Sequence, residues 1–155
     1  MRPPPPEVPS DRSTGSLAPK FRDAVNAILA DMGDAKISEG LRTFERQSYL
    51  YGFGREYDDG RGIVTNASSN LTSWHGYGLA VDIVHATLEW DAGDKWFRLL
   101  GDTAKAHGCS WGGDWFHPDL PHVQFGTLKD SPSGEARQLI ADGGVEAVWD
   151  AVGAS

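Results

Sequence analysis

The chain has 155 residues, 39% of them hydrophobic and six of them Trp, enough for one domain with a real core but not for two. Its 14 basic and 22 acidic residues leave a net charge of −8 with no Lys/Arg cluster, which argues against nucleic-acid binding and against electrostatic anchoring on anionic surfaces such as membranes. The single cysteine, Cys109, rules out an intramolecular disulfide and reads as a small buried packing residue.

No apolar stretch approaches the roughly 20 residues of a membrane span, and the N-terminus lacks the basic region and apolar run of a secretory signal. The expectation is a protein made in the cytoplasm. Residues 1–18 open with Met1-Arg2-Pro3-Pro4-Pro5-Pro6 and offer little to bury, which predicts a flexible, polyproline-like arm ahead of a single domain at 19–155.

From Pro19 the composition changes. Phe21, Val25, Ile28, Leu29 and Met32 recur at helical spacing until Gly33, predicting a core-covering helix over 19–33. Residues 37–42 read as a short strand, and Thr43 as the N-cap of a helix reaching to about residue 54. Arg42 falls at the corner between them, while Arg46 and Arg55 read as solvated. The polar, glycine-rich stretch 57–73 is a long loop, expected to form one wall of a cleft.

Ser73-Trp74-His75-Gly76-Tyr77-Gly78 runs into the alternating segment 79–84, a strand in which Ala80, Asp82 and Val84 share one face. On a straight strand His75 would lie roughly 23 Å from Asp82. Only a fold-back brings both to one ion, and Gly76 and Gly78 can take the positive φ that this needs. Ser73 can hydrogen-bond substrate, orient His75 or cap the turn.

His85 opens the next loop. Trp96, Leu99, Leu100 and Ala104 predict a helix over 93–107, with His85 and His107 exposed. Residues 109–115 read as a strand with a glycine kink, whose Trp111 and Trp115 serve either as aromatic walls of the cleft or as core. His117, on a loop two residues before Asp119, is either a solvated side chain or a partner of the site. Pro121 excludes helix, so His122 begins a strand in which it shares a face with Gln124. The tail from Ser133 has a helical pattern interrupted at Gly143-Gly144.

Two imidazoles and one carboxylate, His75, His122 and Asp82, make a three-ligand zinc site with one position left for water, which is a catalytic layout. Asp119, three residues before His122, is the candidate base for that water.

Ser73-x-His75-x-x-Gly78-x-Ala80-x-Asp82 followed by Asp119-x-Pro121-His122 resembles the D-alanyl-D-alanine carboxypeptidase-like zinc peptidases of peptidoglycan. The Asp-x-Pro-His form is most similar to their L-alanyl-D-glutamate endopeptidase branch, which includes phage endolysins. The likeness extends through 40–47, 62–67 and 111–115 and covers roughly residues 20–128.

The resemblance implies an α+β fold with a small antiparallel sheet carrying the zinc site between helices. It implies one zinc per chain, a peptidoglycan stem peptide as partner, and an action on the cell wall after release by a holin-type route if the chain is phage-derived. It places Arg42 in the cleft, holding a substrate carboxylate or the oxyanion. Gln47, Ser73, Trp115 and His117 are the expected substrate-binding residues, and the chain is expected to act as a monomer without inserting into a membrane. A D-alanyl-D-alanine carboxypeptidase is the near alternative. A non-catalytic zinc-containing wall-binding module, as in hedgehog-type relatives of the fold, is the distant one, and the presence of Asp119 weighs against it.

Overall fold

A computed structural model describes residues 1–126 and 128–155. Among the described residues four α-helices and four strands follow in the order α1 (Pro19–Met32), β1 (Ala35–Glu39), α2 (Phe44–Gly52), β2 (Ala80–His85), α3 (Asp94–Ala106), β3 (Cys109–Trp111), β4 (His122–Phe125) and α4 (Gly134–Val152). The strands form one antiparallel sheet in the order β1-β2-β4-β3. The fold is therefore α+β, and the two segments that carry the candidate ligands lie side by side at its centre.

Register decides which side chains meet. Asp82 pairs with His122 and Val81 with Val123, so one sheet face collects Asp82, His122 and Gln124 while the other collects Val81, Ile83 and Val123. The apolar face packs on Phe21, Val25 and Ile28 of α1 and on Phe97, Leu100 and Ala104 of α3. Each side chain buried there stabilises the fold by roughly 1.5–3 kcal/mol.

α1 starts with Pro19 in its first turn and ends at Gly33, whose φ of 73° lets its N–H reach the Leu29 carbonyl at 3.0 Å. In α3 the buried face is Phe97, Leu100, Gly101 and Ala104, whereas Leu99 is exposed. The stripe is displaced from the expected Trp96–Leu99 edge because the Trp111 indole lies over Gly101, where a Cβ would collide with it.

Two segments differ from expectation at their ends. The first strand stops at Glu39, with a bulge between Ile37 and Glu39, so Arg42 lies beyond the sheet in the turn leading to α2. The 109–115 strand is shorter too: after Trp111 the backbone coils into a 3-10 turn over Gly112–Asp114.

Residues 1–18, expected as a flexible arm, are laid along the domain. Val8 packs on the Tyr49, Leu50, Phe53 and Tyr57 cluster, the Asp11 carbonyl accepts from Gly40 N–H at 2.6 Å, and Leu17 and Ala18 are fully buried. The prolines keep the segment extended and cannot donate, but the carbonyls and the few apolar side chains between them remain available for contacts. α4 packs back on the domain and is broken at Gly144, where φ is 75° and ψ −179°. No helix among the described residues is long and apolar enough to cross a membrane.

Candidate metal and active site

The fold-back that His75 requires is a 3-10 turn over Trp74–Tyr77. Ser73 caps it by accepting from His75 N–H at 3.3 Å, and Gly78 closes it in the left-handed region at φ 66°. Gly76, expected to share the positive φ, does something else. It lies against the Asn70 carbonyl so closely that a Cβ would collide with it.

Each imidazole has one nitrogen committed. His75 Nδ1 stands 3.0 Å from the Gly40 carbonyl, an acceptor only, so Nδ1 carries the hydrogen. His122 Nε2 stands 2.9 Å from Gln124 Oε1, and Gln124 Nε2 donates to the Leu128 and Lys129 carbonyls at 3.1 and 3.0 Å, which fixes the amide's orientation. The free nitrogens, His75 Nε2 and His122 Nδ1, face Asp82 Oδ1 at 3.5 and 3.6 Å.

Asp82 Oδ1 is buried and has no hydrogen-bond partner among the described residues. With both imidazoles neutral, three acceptor atoms therefore converge with no hydrogen between them, all within 4.8 Å of one another. An unsatisfied buried carboxylate oxygen is costly, and a cation removes that cost. The spacing suits a small tetrahedral ion, whose ligand atoms at bonds of ~2.0–2.1 Å stand ~3.3–3.4 Å apart.

The electrostatics agree. Burial alone would raise the Asp82 carboxyl, but the two imidazoles held against it outweigh burial and keep it well below the usual carboxylate range. Burial likewise pulls down on His122, yet the Asp82 and Asp119 carboxylates raise it above an ordinary imidazole. Asp119 moves the other way from Asp82. Burial and the Asp82 charge raise it, against the pull of His122, His75 and Arg42. Two neighbouring carboxylates are thus split, one shifted down and the other up from the ordinary carboxylate value.

Asp119 Oδ2 lies 3.8 Å from His122 Nδ1, half-exposed at the floor of a cavity of about 730 Å³. Arg42, Ser73, Trp115 and His117 also line this cavity, and Thr65 to Ala67 of the long loop form one wall. The Trp115 ring lies 4.7 Å from the His122 ring, whereas Trp111 is buried and donates its indole N–H to the Leu120 carbonyl at 2.6 Å. The two tryptophans therefore divide the roles left open by the sequence. His117 is exposed at the mouth.

Gln47 does not line the cavity. It is fully buried in α2, accepting from Arg42 Nη1 at 3.0 Å and donating to the Ala67 carbonyl at 2.7 Å, and so ties Arg42 to the loop. Arg46, expected in solvent, is largely buried on Glu39, and Arg55 ties the carbonyls of Tyr51 and Thr65 at 2.7 and 3.0 Å. His85 and His107 are half-buried beside Asp34 and Asp31. Glu39 and Gln124 are the residues that sequence reasoning left unassigned. Gln124 was within reach, since it shares a strand face with His122.

A family model described as D-alanyl-D-alanine carboxypeptidase matches residues 66–125, which hold the whole His75, Asp82 and His122 set. The peptidoglycan L-alanyl-D-glutamate endopeptidase CwlK of Bacillus subtilis (strain 168) is 32% identical over 132 residues, 76% of this chain and 75% of its own. The chain belongs to this family of peptidoglycan peptidases. Among solved structures, the L-Ala D-Glu endopeptidase ChiX of Serratia marcescens superposes with a TM-score of 0.55 at 23% identity, covering 77% of this chain and 91% of its own. The vancomycin-resistance D,D-pentapeptidase VanY, solved as a mutant with Zn(II), superposes at 0.50 and 19% identity, covering 93% and 92%. At these identities the likeness is one of fold.

Proposed function

We propose that this chain is a zinc-dependent peptidase that hydrolyses the L-alanyl-D-glutamate bond of peptidoglycan stem peptides. The observation that carries the chemistry is the convergence of three acceptor atoms on one point, with Asp82 Oδ1 left unpartnered and Asp119 beside it in an open cavity. The choice of bond is supported by the relation to CwlK, an endopeptidase of that name.

His75, Asp82 and His122 would hold the metal. Zinc there supplies a Lewis acid that polarises the scissile carbonyl and acidifies an attacking water. Asp119, with its raised pKa, accepts the proton of that water on a carboxylate oxygen and delivers it to the departing amine nitrogen. Arg42 presents its guanidinium to the cavity, where it stabilises negative charge on the substrate or on the oxyanion. Trp115 lies over the His122 ring and shields one side of the site from water.

Purified peptidoglycan is digested with the zinc-loaded protein, and the new amino termini are identified by mass spectrometry. New amino-terminal D-glutamate is expected. Release of free D-alanine would move the reading to a D,D-carboxypeptidase, and no new termini with a fully metallated protein would remove catalysis altogether.

A further inference from the structure

Glu39 is a buried carboxylate that the chemistry above does not use. It stands on β1 directly opposite Asp82, so Glu39, Asp82 and His122 form one row across three strands. A third acid in that row would be a natural extra ligand, yet the converging ligand atoms are those of His75, Asp82 and His122. Both Glu39 oxygens are engaged elsewhere. Arg42 Nε donates to Oε1 at 3.3 Å, and Arg46 grips the carboxylate with two parallel bonds, Nε to Oε1 at 3.1 Å and Nη2 to Oε2 at 3.0 Å.

We propose that Glu39 is a positioning residue, which with Gln47 clamps the Arg42 guanidinium in the orientation that the cleft requires. The inference rests on the reading that Arg42 serves the reaction. Glu39 takes Nε–H and Gln47 takes one hydrogen of Nη1, fixing the guanidinium plane from two sides. The Arg42 backbone is held as well, its N–H donating to the His75 carbonyl at 2.9 Å. Among the described residues no carboxylate other than Glu39 pairs with Arg42, and its Nη2 makes no hydrogen bond. That edge is left for a ligand.

Arg46 secures the far side of the clamp. Its Nη1 donates to the Val8 carbonyl at 2.6 Å, so the N-terminal segment closes over the carboxylate and keeps water from competing for it. A carboxylate shared by two guanidiniums this deeply buried is expensive unless both bonds are kept, which gives Glu39 one stable position.

The test uses the zinc-loaded full chain and a soluble peptidoglycan fragment. Glu39→Gln should keep its zinc and lose about 100-fold in kcat/KM, the loss expected when a charged group drifts by roughly 1 Å. In the double variant with Arg42→Lys the losses should not multiply, since both act through one guanidinium. Arg46→Met removes the other partner of the same carboxylate but leaves the Glu39–Arg42 bond, so it should lower the thermal midpoint and cost clearly less in kcat/KM than Glu39→Gln. Independent losses in the double variant, or an Arg46→Met defect equal to that of Glu39→Gln, would overturn the assignment. Should Glu39→Gln fail to fold, Glu39→Asp, which keeps the charge but is too short to span both arginines, takes its place. A readout free of catalysis separates this inference from the proposed reaction. In ¹⁵N-arginine-labelled protein, the Arg42 Nε–H should exchange slowly in the wild type and rapidly in the Glu39 variant. Unchanged exchange refutes the clamp even if the wild type is active, and an inactive wild type with a protected Nε–H refutes only the reaction.

Discussion

On one face of the sheet Val81, Ile83 and Val123 are fully buried against α1 and α3; on the other, Glu39, His122 and Gln124 are nearly as deep, Gln124 at 0% exposure and Glu39 and His122 at 6%, with the Asp82 side chain between them at 15%. Burial stabilises the first face through area alone and requires no particular direction from any atom. The second face must pair its polar atoms one by one, and among the described residues Asp82 Oδ1 is the fully buried side-chain atom left without a partner. Both faces are largely buried, so burial alone does not mark the site. The unsatisfied atom does.

This comparison predicts that substitutions on the polar face act on metal and turnover, while those on the apolar face act on stability. The largest expected effect is at the ligands. His122→Ala should empty the site of zinc and abolish turnover, both measured on the same preparation; stoichiometric zinc in that variant would break the assignment. The wild type offers a pH test of the same ligand. Asp82 and Asp119 raise the His122 pKa above the ordinary imidazole value in the metal-free chain, and zinc must displace that proton. Zinc affinity should therefore be constant above the raised value and fall roughly tenfold per pH unit below it, starting at a higher pH than for an ordinary histidine. Titration with a competing chelator across pH 5–8 measures the slope.

Next in size is the base. Asp119→Asn keeps the shape but cannot take a proton, so kcat should fall by roughly 100-fold to 10,000-fold with zinc content and thermal midpoint unchanged. His117→Ala, at the exposed mouth of the same cavity, should cost far less. An inactive but metallated His117→Ala beside an active Asp119→Asn would exchange their roles.

Period-two alternation made the strands of Asp82 and His122 legible in the sequence and placed Asp82 on one face and Val81 and Ile83 on the other, whereas the turn that returns His75 to them carries no such period. The resemblance added Arg42 and the fold class. What escaped has a common physical cause, a contact between residues far apart in sequence with no periodic signal. The bulge before Glu39 sets the facing of its side chain, and nothing in residues 37–42 announces a bulge. The N-terminal prolines exclude internal hydrogen bonds, but only tertiary structure shows that Arg46 and Gly40 use the Val8 and Asp11 carbonyls. Gly76 was read for its φ, whereas its use is the close approach of Asn70.

The apolar face supplies the third test. Ile83→Ala should destabilise the chain by about 2–5 kcal/mol through lost burial and the cavity left behind. For a chain of this size that lowers the thermal midpoint by roughly 5–20 °C. Below the new midpoint the variant should keep its zinc and its turnover. A loss of zinc affinity as large as the loss of stability would show that the two faces are not separable.

The smallest predicted effect sharpens the comparison most, because Gln124 is as buried as Ile83 but belongs to the other face. Its Oε1 accepts from His122 Nε2, which keeps the hydrogen there and leaves Nδ1 free for the metal. Its Nε2 holds the Leu128 and Lys129 carbonyls. Gln124→Met nearly conserves volume but removes both functions, and loss of such an outer partner typically costs about 10–100-fold in metal affinity. Gln124→Glu restores an acceptor for His122 while leaving the two carbonyls without a donor. Affinity should therefore recover in Gln124→Glu relative to Gln124→Met, while both variants show a lowered thermal midpoint. Zinc competition and thermal denaturation, run on the two variants together, separate the imidazole's orientation from the anchoring of the loop. Equal zinc affinity in wild type and Gln124→Met would mean that His122 is oriented by its strand alone.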